Sequence, residues 1–125
     1  MLIGTPKEIK NHEYRVGLTP ESVAELVAHQ QQVIVQSGAG AGIGAVDADY
    51  QNAGALIVDT AKEIFDRADM VVKVKEPQAQ ERKMLREGQV LYTYLHLAPD
   101  PEQTRDLIDS GAVCIAYETV TDKSG

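Results

Sequence analysis

Met70-Val71-Val72-Lys73-Val74-Lys75-Glu76-Pro77 is an apolar run, rich in β-branched residues, that ends in a lysine. Such a run reads as a buried strand from Met70 to Val74, stopped by Glu76-Pro77. Lys75 then falls where a strand gives way to a loop. In open α/β sheets the carboxyl ends of the strands border the ligand crevice, so a cation there is a candidate for chemistry.

The same grammar repeats on either side of this run. Upstream, Leu2-Ile3-Gly4 reads as a short strand, and Thr19-Pro20-Glu21 as a helix start. Thr19 can accept a backbone N–H there, and Pro20 suits the first helical position. Val23, Leu26 and Val27 share one face of that helix. Gln32 to Gln36 is the second strand. A glycine-rich loop and a short helix from Asp47 to Ala53, ended by Gly54, lead to the strand Ala55 to Val58. Thr60-Ala61-Lys62-Glu63 is a capping box for a helix that buries Ala61, Ile64 and Phe65.

Downstream, a helix is expected over 78–86 with Gly88 beyond its end, and a strand from Val90 to Leu95. Asp100 caps the last helix, whose apolar face includes Leu107 and Ile108 and which Gly111 ends. Val113 to Tyr117 reads as a buried sixth strand.

Alternating strands and helices imply an α/β fold with a mostly parallel sheet of about six strands and helices on both faces. The expectation is a Rossmann-like or flavodoxin-like three-layer domain. Periodicity does not fix the strand order. A polar tail, residues 121–125, follows the last strand directly, with no helix to close over it. The domain is therefore expected to be incomplete without a C-terminal return segment, and apolar surface left uncovered would favour self-association.

The 125 residues suffice for one domain with a core. Twelve Lys and Arg against nineteen Asp and Glu give a net charge of −7. No basic run interrupts that excess, which argues against nucleic-acid binding and anionic membranes. Nothing approaches the ~18 consecutive apolar residues of a membrane span, and the amino terminus lacks a signal-peptide core. The single cysteine, Cys114, excludes an internal disulfide, and no Cys/His cluster has metal spacing. A reduced, cytoplasmic setting is expected.

Gly38 to Ala45 contains G-x-G-x-x-A after a strand, which imitates a dinucleotide fingerprint. The context opposes it. A phosphate-binding helix should begin within the glycines and run for several apolar turns. Here residues 46–52 are short and polar, and Asp47 and Asp49 would face an incoming pyrophosphate. A tight loop is the better reading, and no cofactor is expected to bind this chain.

Lys75 has the stronger case for chemistry, although a lysine at a strand end can also snorkel to water. Lys73, two residues back, shares its face, so one of the pair can be merely solvated. His96 ends the next predicted strand. If the two strands are parallel and near one another, both side chains meet in one crevice, where a histidine can serve as acid or base. The plainer fate is a hydrogen-bonded loop histidine, and His12 and His29 read as surface groups. Arg15, in the loop after the first strand, can grip a carboxylate in bidentate fashion. From spacing, an ion pair with Glu13 or Glu8 is an equal alternative. Two cations and a histidine together suit a small anion with a polarisable carbonyl.

Gly4-Thr5-Pro6-Lys7-Glu8, Glu13-Tyr14-Arg15-Val16, Thr19-Pro20-Glu21, Ser37-Gly38-Ala39-Gly40, Ala53-Gly54-Ala55, Val74-Lys75-Glu76-Pro77 and Tyr94-Leu95-His96-Leu97-Ala98 resemble the N-terminal part of the alanine dehydrogenase/pyridine nucleotide transhydrogenase family. The resemblance covers essentially the whole chain. Its dehydrogenase branch implies NAD-dependent oxidation of L-alanine to pyruvate and ammonia. Arg15 would then hold the substrate carboxylate, Lys75 would contact the reacting carbon's carbonyl or amine, and His96 would act in acid/base chemistry. The transhydrogenase branch is the second reading, and the presence of both Lys75 and His96 favours the dehydrogenase. A module that binds a small carboxylate without turnover is a third. Family members are homo-oligomers that continue into a separate NAD-binding domain, so residues 1–125 are expected to be the substrate domain alone, inactive by itself.

Overall fold

Six strands join into one fully parallel sheet in the computed structural model, which describes residues 1–125. They are β1 (Leu2–Thr5), β2 (Gln32–Gln36), β3 (Leu56–Val58), β4 (Met70–Val72), β5 (Val90–Thr93) and β6 (Val113–Ala116). The order across the sheet is β3-β2-β1-β4-β5-β6. The first three strands wind outward one way from β1, and the chain then returns to add β4, β5 and β6 on its other side. The reversal lies between β1 and β4, which are paired through Ile3–Met70 and Gly4–Val71. A doubly wound sheet opens its ligand crevice at that point, outside the carboxyl ends of the two strands.

Five helices cover the sheet: α1 (Pro20–Ala28), α2 (Asp47–Ala53), α3 (Ala61–Arg67), α4 (Ala79–Arg82) and α5 (Pro101–Ser110). Strand alternation decides which side chains meet them. Val33 and Val35 point one way, with Ile3, to Val23 of α1 and Tyr50 of α2. Ile34, Val71 and Leu91 point the other way, to Ile64 and Phe65 of α3 and Leu107 of α5. Each such buried side chain contributes about 1.5–3 kcal/mol. The expected caps form: Thr19 accepts from Ser22 N (3.2 Å), Thr60 from Glu63 N (3.2 Å) and Asp100 from Gln103 N (3.1 Å). No helix is long and apolar enough to cross a membrane.

Several expectations need correction, among them the strand expected from Val90 to Leu95, which ends at Thr93. The strand through Lys73 and Val74 stops at Val72, because the Glu8 carboxylate takes the N–H groups of Val74 and Lys75 and turns the chain away. The helix expected over 78–86 shrinks to α4. Arg86 instead gives its backbone N–H to Gln89 Oε1 (3.3 Å) and its guanidinium to Ala68 O (2.6 Å), which draws the chain toward the end of α3. The sixth strand is an edge strand and is not buried. Cys114 and Ala116 pack on the core, but Val113 and Ile115 are 52% and 36% exposed, since α1 and α2 lie over the opposite half of that face. Ile108, placed on the apolar face of the last helix, is likewise exposed.

Candidate functional site

The loops after β1, β4 and β5 carry Arg15, Lys75 and His96 at the crevice end of the sheet. Two glycines let the first loop lie close to its neighbours. A Cβ on Gly17 would stand 2.5 Å from Val72 O at the end of β4, and one on Gly42 would stand 2.1 Å from Tyr14 O. The Arg15 loop is thus wedged between β4 and the glycine-rich loop by backbone contact on both sides.

Lys75 is half-buried, and its main chain is held at both ends. Its N–H donates to Glu8 Oε1 (3.1 Å), and its carbonyl accepts from Thr93 Oγ1 (2.9 Å). Its Nζ lies 5.1 Å from the centre of the Tyr94 ring, within the range of a cation–π contact. Lys73 is not the solvated member of the pair. It is 2% exposed, with Nζ donating to Glu8 Oε2 at 3.1 Å. Glu81 Oε2 lies 3.0 Å from the same Nζ but outside hydrogen-bond alignment, so that contact is chiefly one of charge. Burial pushes the Glu81 carboxyl above its ordinary pKa, with the Lys73 charge pulling back.

His96 follows β5 in the left-handed region at φ 47°, a conformation that few non-glycine residues adopt. Glu118 sustains it. Its carboxylate accepts from His96 N (2.8 Å) and Leu95 N (3.2 Å), while buried Gln103 donates to Leu95 O (3.0 Å). Partial desolvation, the largest influence on Glu118, acts to raise its pKa, but backbone N–H groups led by that of His96 hold it below the usual value. The His96 ring stacks on Tyr94 at 5.5 Å and 13°. Lys75 and His96 therefore share one aromatic platform, and β4 and β5 are the adjacent parallel strands that this requires, Val72 facing Tyr92.

Arg15 is exposed and pairs with Glu13, the alternative that spacing left open. Nε donates to Glu13 Oε2 (3.0 Å) and Nη2 to Oε1 (2.7 Å), with the Arg15 backbone N–H also on Oε2 (2.9 Å). A guanidinium has five N–H donors, so this side-on fork leaves the Nη1 edge for a second carboxylate. The Arg15 side-chain bonds bring the Glu13 pKa down to about 2, and the charge of Lys75 adds to the effect. The two cations are thus within electrostatic reach of one carboxylate. Tyr117, whose hydroxyl donates to Val74 O (2.6 Å), feels both burial, which raises its pKa, and the Arg15 charge, which opposes the rise.

A cavity of about 550 Å³ lies between residues 7–15 and the glycine-rich loop, lined by Arg15, Glu13 and Glu8 among others. Lys75 and His96 stand outside it. Glu8 borders both, with one face on the cavity and its oxygens on the Lys75 loop. The glycine-rich loop itself is turned inward: Asp47 accepts from Ser37 Oγ (2.6 Å) and Gly38 N (2.9 Å), and α2 begins at that aspartate, beyond the glycines. No group of three His, Cys, Asp or Glu side chains has the geometry of a metal site.

Sequence reasoning did not single out Tyr94 or Tyr117, named Glu8 only as a possible partner of Arg15, and left the role of Glu118 open. Tyr94 stands beyond the end of β5 and His96 has left-handed backbone, so strand alternation does not describe the pair. The others act on residues more than twenty positions away, and nothing local marks them.

The fold is a doubly wound parallel α/β domain, with Arg15 and Lys75 in the loops that leave the two strands at its switch point and His96 in the loop after the neighbouring strand. Residues 4–125 match the family profile described as alanine dehydrogenase/PNT, N-terminal domain. The chain belongs to that family. It is 54% identical to the alanine dehydrogenase of Halomonas elongata over 100% of this chain and 34% of that protein, and 52% identical to that of Methanococcus maripaludis over 96% and 32%. A solved L-alanine dehydrogenase superposes with a TM-score of 0.95 at 49% identity, covering 99% of this chain and 34% of the other. A transhydrogenase from Sinorhizobium meliloti superposes with a TM-score of 0.91 at 30% identity, covering 99% and 35%. The chain thus spans about a third of the length of the relatives it matches.

Proposed function

We propose that these 125 residues form the substrate side of an NAD-dependent L-alanine dehydrogenase, which converts L-alanine, NAD and water to pyruvate, ammonium, NADH and a proton. The observation that carries this reading is the shared Tyr94 platform of Lys75 and His96, with the Arg15 fork at the same end of the sheet. Arg15 holds the substrate carboxylate through its Nη1 edge. Lys75 stands at the polarised carbonyl or amine of the reacting carbon, and the exposed His96 ring moves protons as water adds or leaves. The higher identity to the dehydrogenase structure, 49% against 30% for the transhydrogenase, supports this branch.

The residues of the glycine-rich loop do not fit a dinucleotide. The Gly38 N–H is already bonded to Asp47, and a second aspartate, Asp49, follows in the first turn of α2. No step of the chemistry is routed through that loop, and this chain alone is expected to bind substrate without turning it over. A cytoplasmic setting is part of this proposal, supported by the single cysteine, Cys114, which has no partner for an internal disulfide. Calorimetry with pyruvate on the chain tests the reading. Arg15→Ala is expected to weaken binding by about tenfold or more, the worth of a charge-assisted pair. Pyruvate affinity that is the same in both proteins, or absent from the wild type, refutes it.

A further inference from the structure

The proposed chemistry leaves three buried charges without a role. Glu8, Lys73 and Glu81 are 7%, 2% and 1% exposed, and they come from the loop after β1, the loop after β4 and helix α4. Burial of an ion group seldom adds net stability, because desolvation offsets the attraction. A geometric role is the better account of why three such groups meet.

The hydrogen bonds show what that role is. Glu8 lies in the same loop as Arg15, seven residues before it. Its Oε2 accepts from Lys73 Nζ (3.1 Å) and Val74 N (3.2 Å), and its Oε1 accepts from Lys75 N (3.1 Å). One carboxylate thus receives three donors from three consecutive residues. The Arg15 loop thereby grips the main chain of Lys75 directly. Resting on the reading that Arg15 and Lys75 both meet the substrate, we infer that Glu8 is a positioning residue that sets the spacing between them, with Lys73 as its buried counter-ion. A neutral amide cannot replace it. Glutamine offers one acceptor oxygen, and its NH2 group would confront an N–H donor.

The experiment uses the 125-residue chain and two readouts, pyruvate calorimetry and backbone amide exchange by NMR. In Glu8→Gln the Val74 and Lys75 amides are expected to exchange at least about tenfold faster, and pyruvate affinity to fall by about tenfold. Glu81→Gln is the control. It alters the same ion group but leaves the bonds from Glu8 to Lys75 in place, so both readouts should stay near wild type. The double variant Glu8→Gln, Lys73→Met removes two of the three charges at similar volume and leaves Glu81, its pKa already raised by burial, to take up a proton; it gives the same readouts if the single variant fails to fold. Equal losses in Glu81→Gln and Glu8→Gln overturn the inference in favour of a purely structural ion group. Wild-type exchange and affinity in Glu8→Gln overturn it outright. Arg15→Ala separates the two levels: if it leaves pyruvate binding unchanged, the substrate reading has failed, whatever Glu8 does.

Discussion

Gly42→Ala puts the wedging of the Arg15 loop to a direct test. The added Cβ would stand 2.1 Å from Tyr14 O and 2.8 Å from Tyr14 C, both backbone atoms that no rotamer change can move aside. Real Cβ contacts do not fall below 3.0 Å, so the two loops must part by about 0.9 Å. Overpacking of this kind costs about 1–3 kcal/mol. The smaller entropy of the unfolded alanine chain returns about 0.4–1 kcal/mol, leaving a net loss of about 0–2.6 kcal/mol. Because Arg15 follows Tyr14, the displacement carries into the guanidinium, and misplacement by about 1 Å can cost a site as much as 10²-fold.

Gly44→Ala is the matched comparison. Space around Gly44 is open, but its φ of +79° strains an alanine by about 1–2 kcal/mol before the same entropy return. Urea titration and pyruvate calorimetry together then decide. Both variants should lose comparable stability, and only Gly42→Ala should lose pyruvate affinity and shift the Tyr14 and Arg15 amide resonances. Unmoved resonances and wild-type affinity in Gly42→Ala would refute the wedge.

Three further expectations follow from the geometry. The Glu13 carboxyl should titrate by NMR near pH 2, and in Arg15→Ala it should return toward its ordinary 4.5; the stability it contributes is present above 4.5 and is lost as pH falls through about 2. Glu118→Ala frees the Leu95 and His96 N–H groups, which should exchange faster while stability drops by less than about 1 kcal/mol, because Glu118 is exposed and water can reach them; unchanged exchange at His96 would show that Glu118 does not sustain its backbone. Leu91→Ala, at a fully buried position of the central sheet, should lower the urea-derived stability by about 2–5 kcal/mol with no change of m-value, and a loss under 1 kcal/mol would mean that this core repacks.

Much of the architecture is local and legible in the sequence. The β2 boundaries, the extent of α2, and the caps at Thr19, Thr60 and Asp100 all depend on residues within four positions of one another. The places of Arg15, Lys75 and His96 at carboxyl strand ends follow from the same short-range pattern. The misread boundaries share another cause. β4 ends early because a glutamate more than sixty residues upstream captures its N–H groups, and α4 ends early because Arg86 and Gln89 reach back to α3. The apolar run of β6 looked buried because periodicity reports a strand's chemistry and not its neighbours.

Sequence alone determined that this protein is an α/β domain with cations at its strand ends, because hydrophobic period and capping chemistry act over a few residues. Tertiary structure alone decided that β1 and β4 flank the switch point, that Glu13 rather than Glu8 pairs with Arg15, and that Tyr94 carries both Lys75 and His96. It also decided that Lys73 is buried between two carboxylates while Lys75 stays half-exposed two residues away. The bonds that separate those two lysines join residues 65 to 67 positions apart, a distance across which no local pattern carries information.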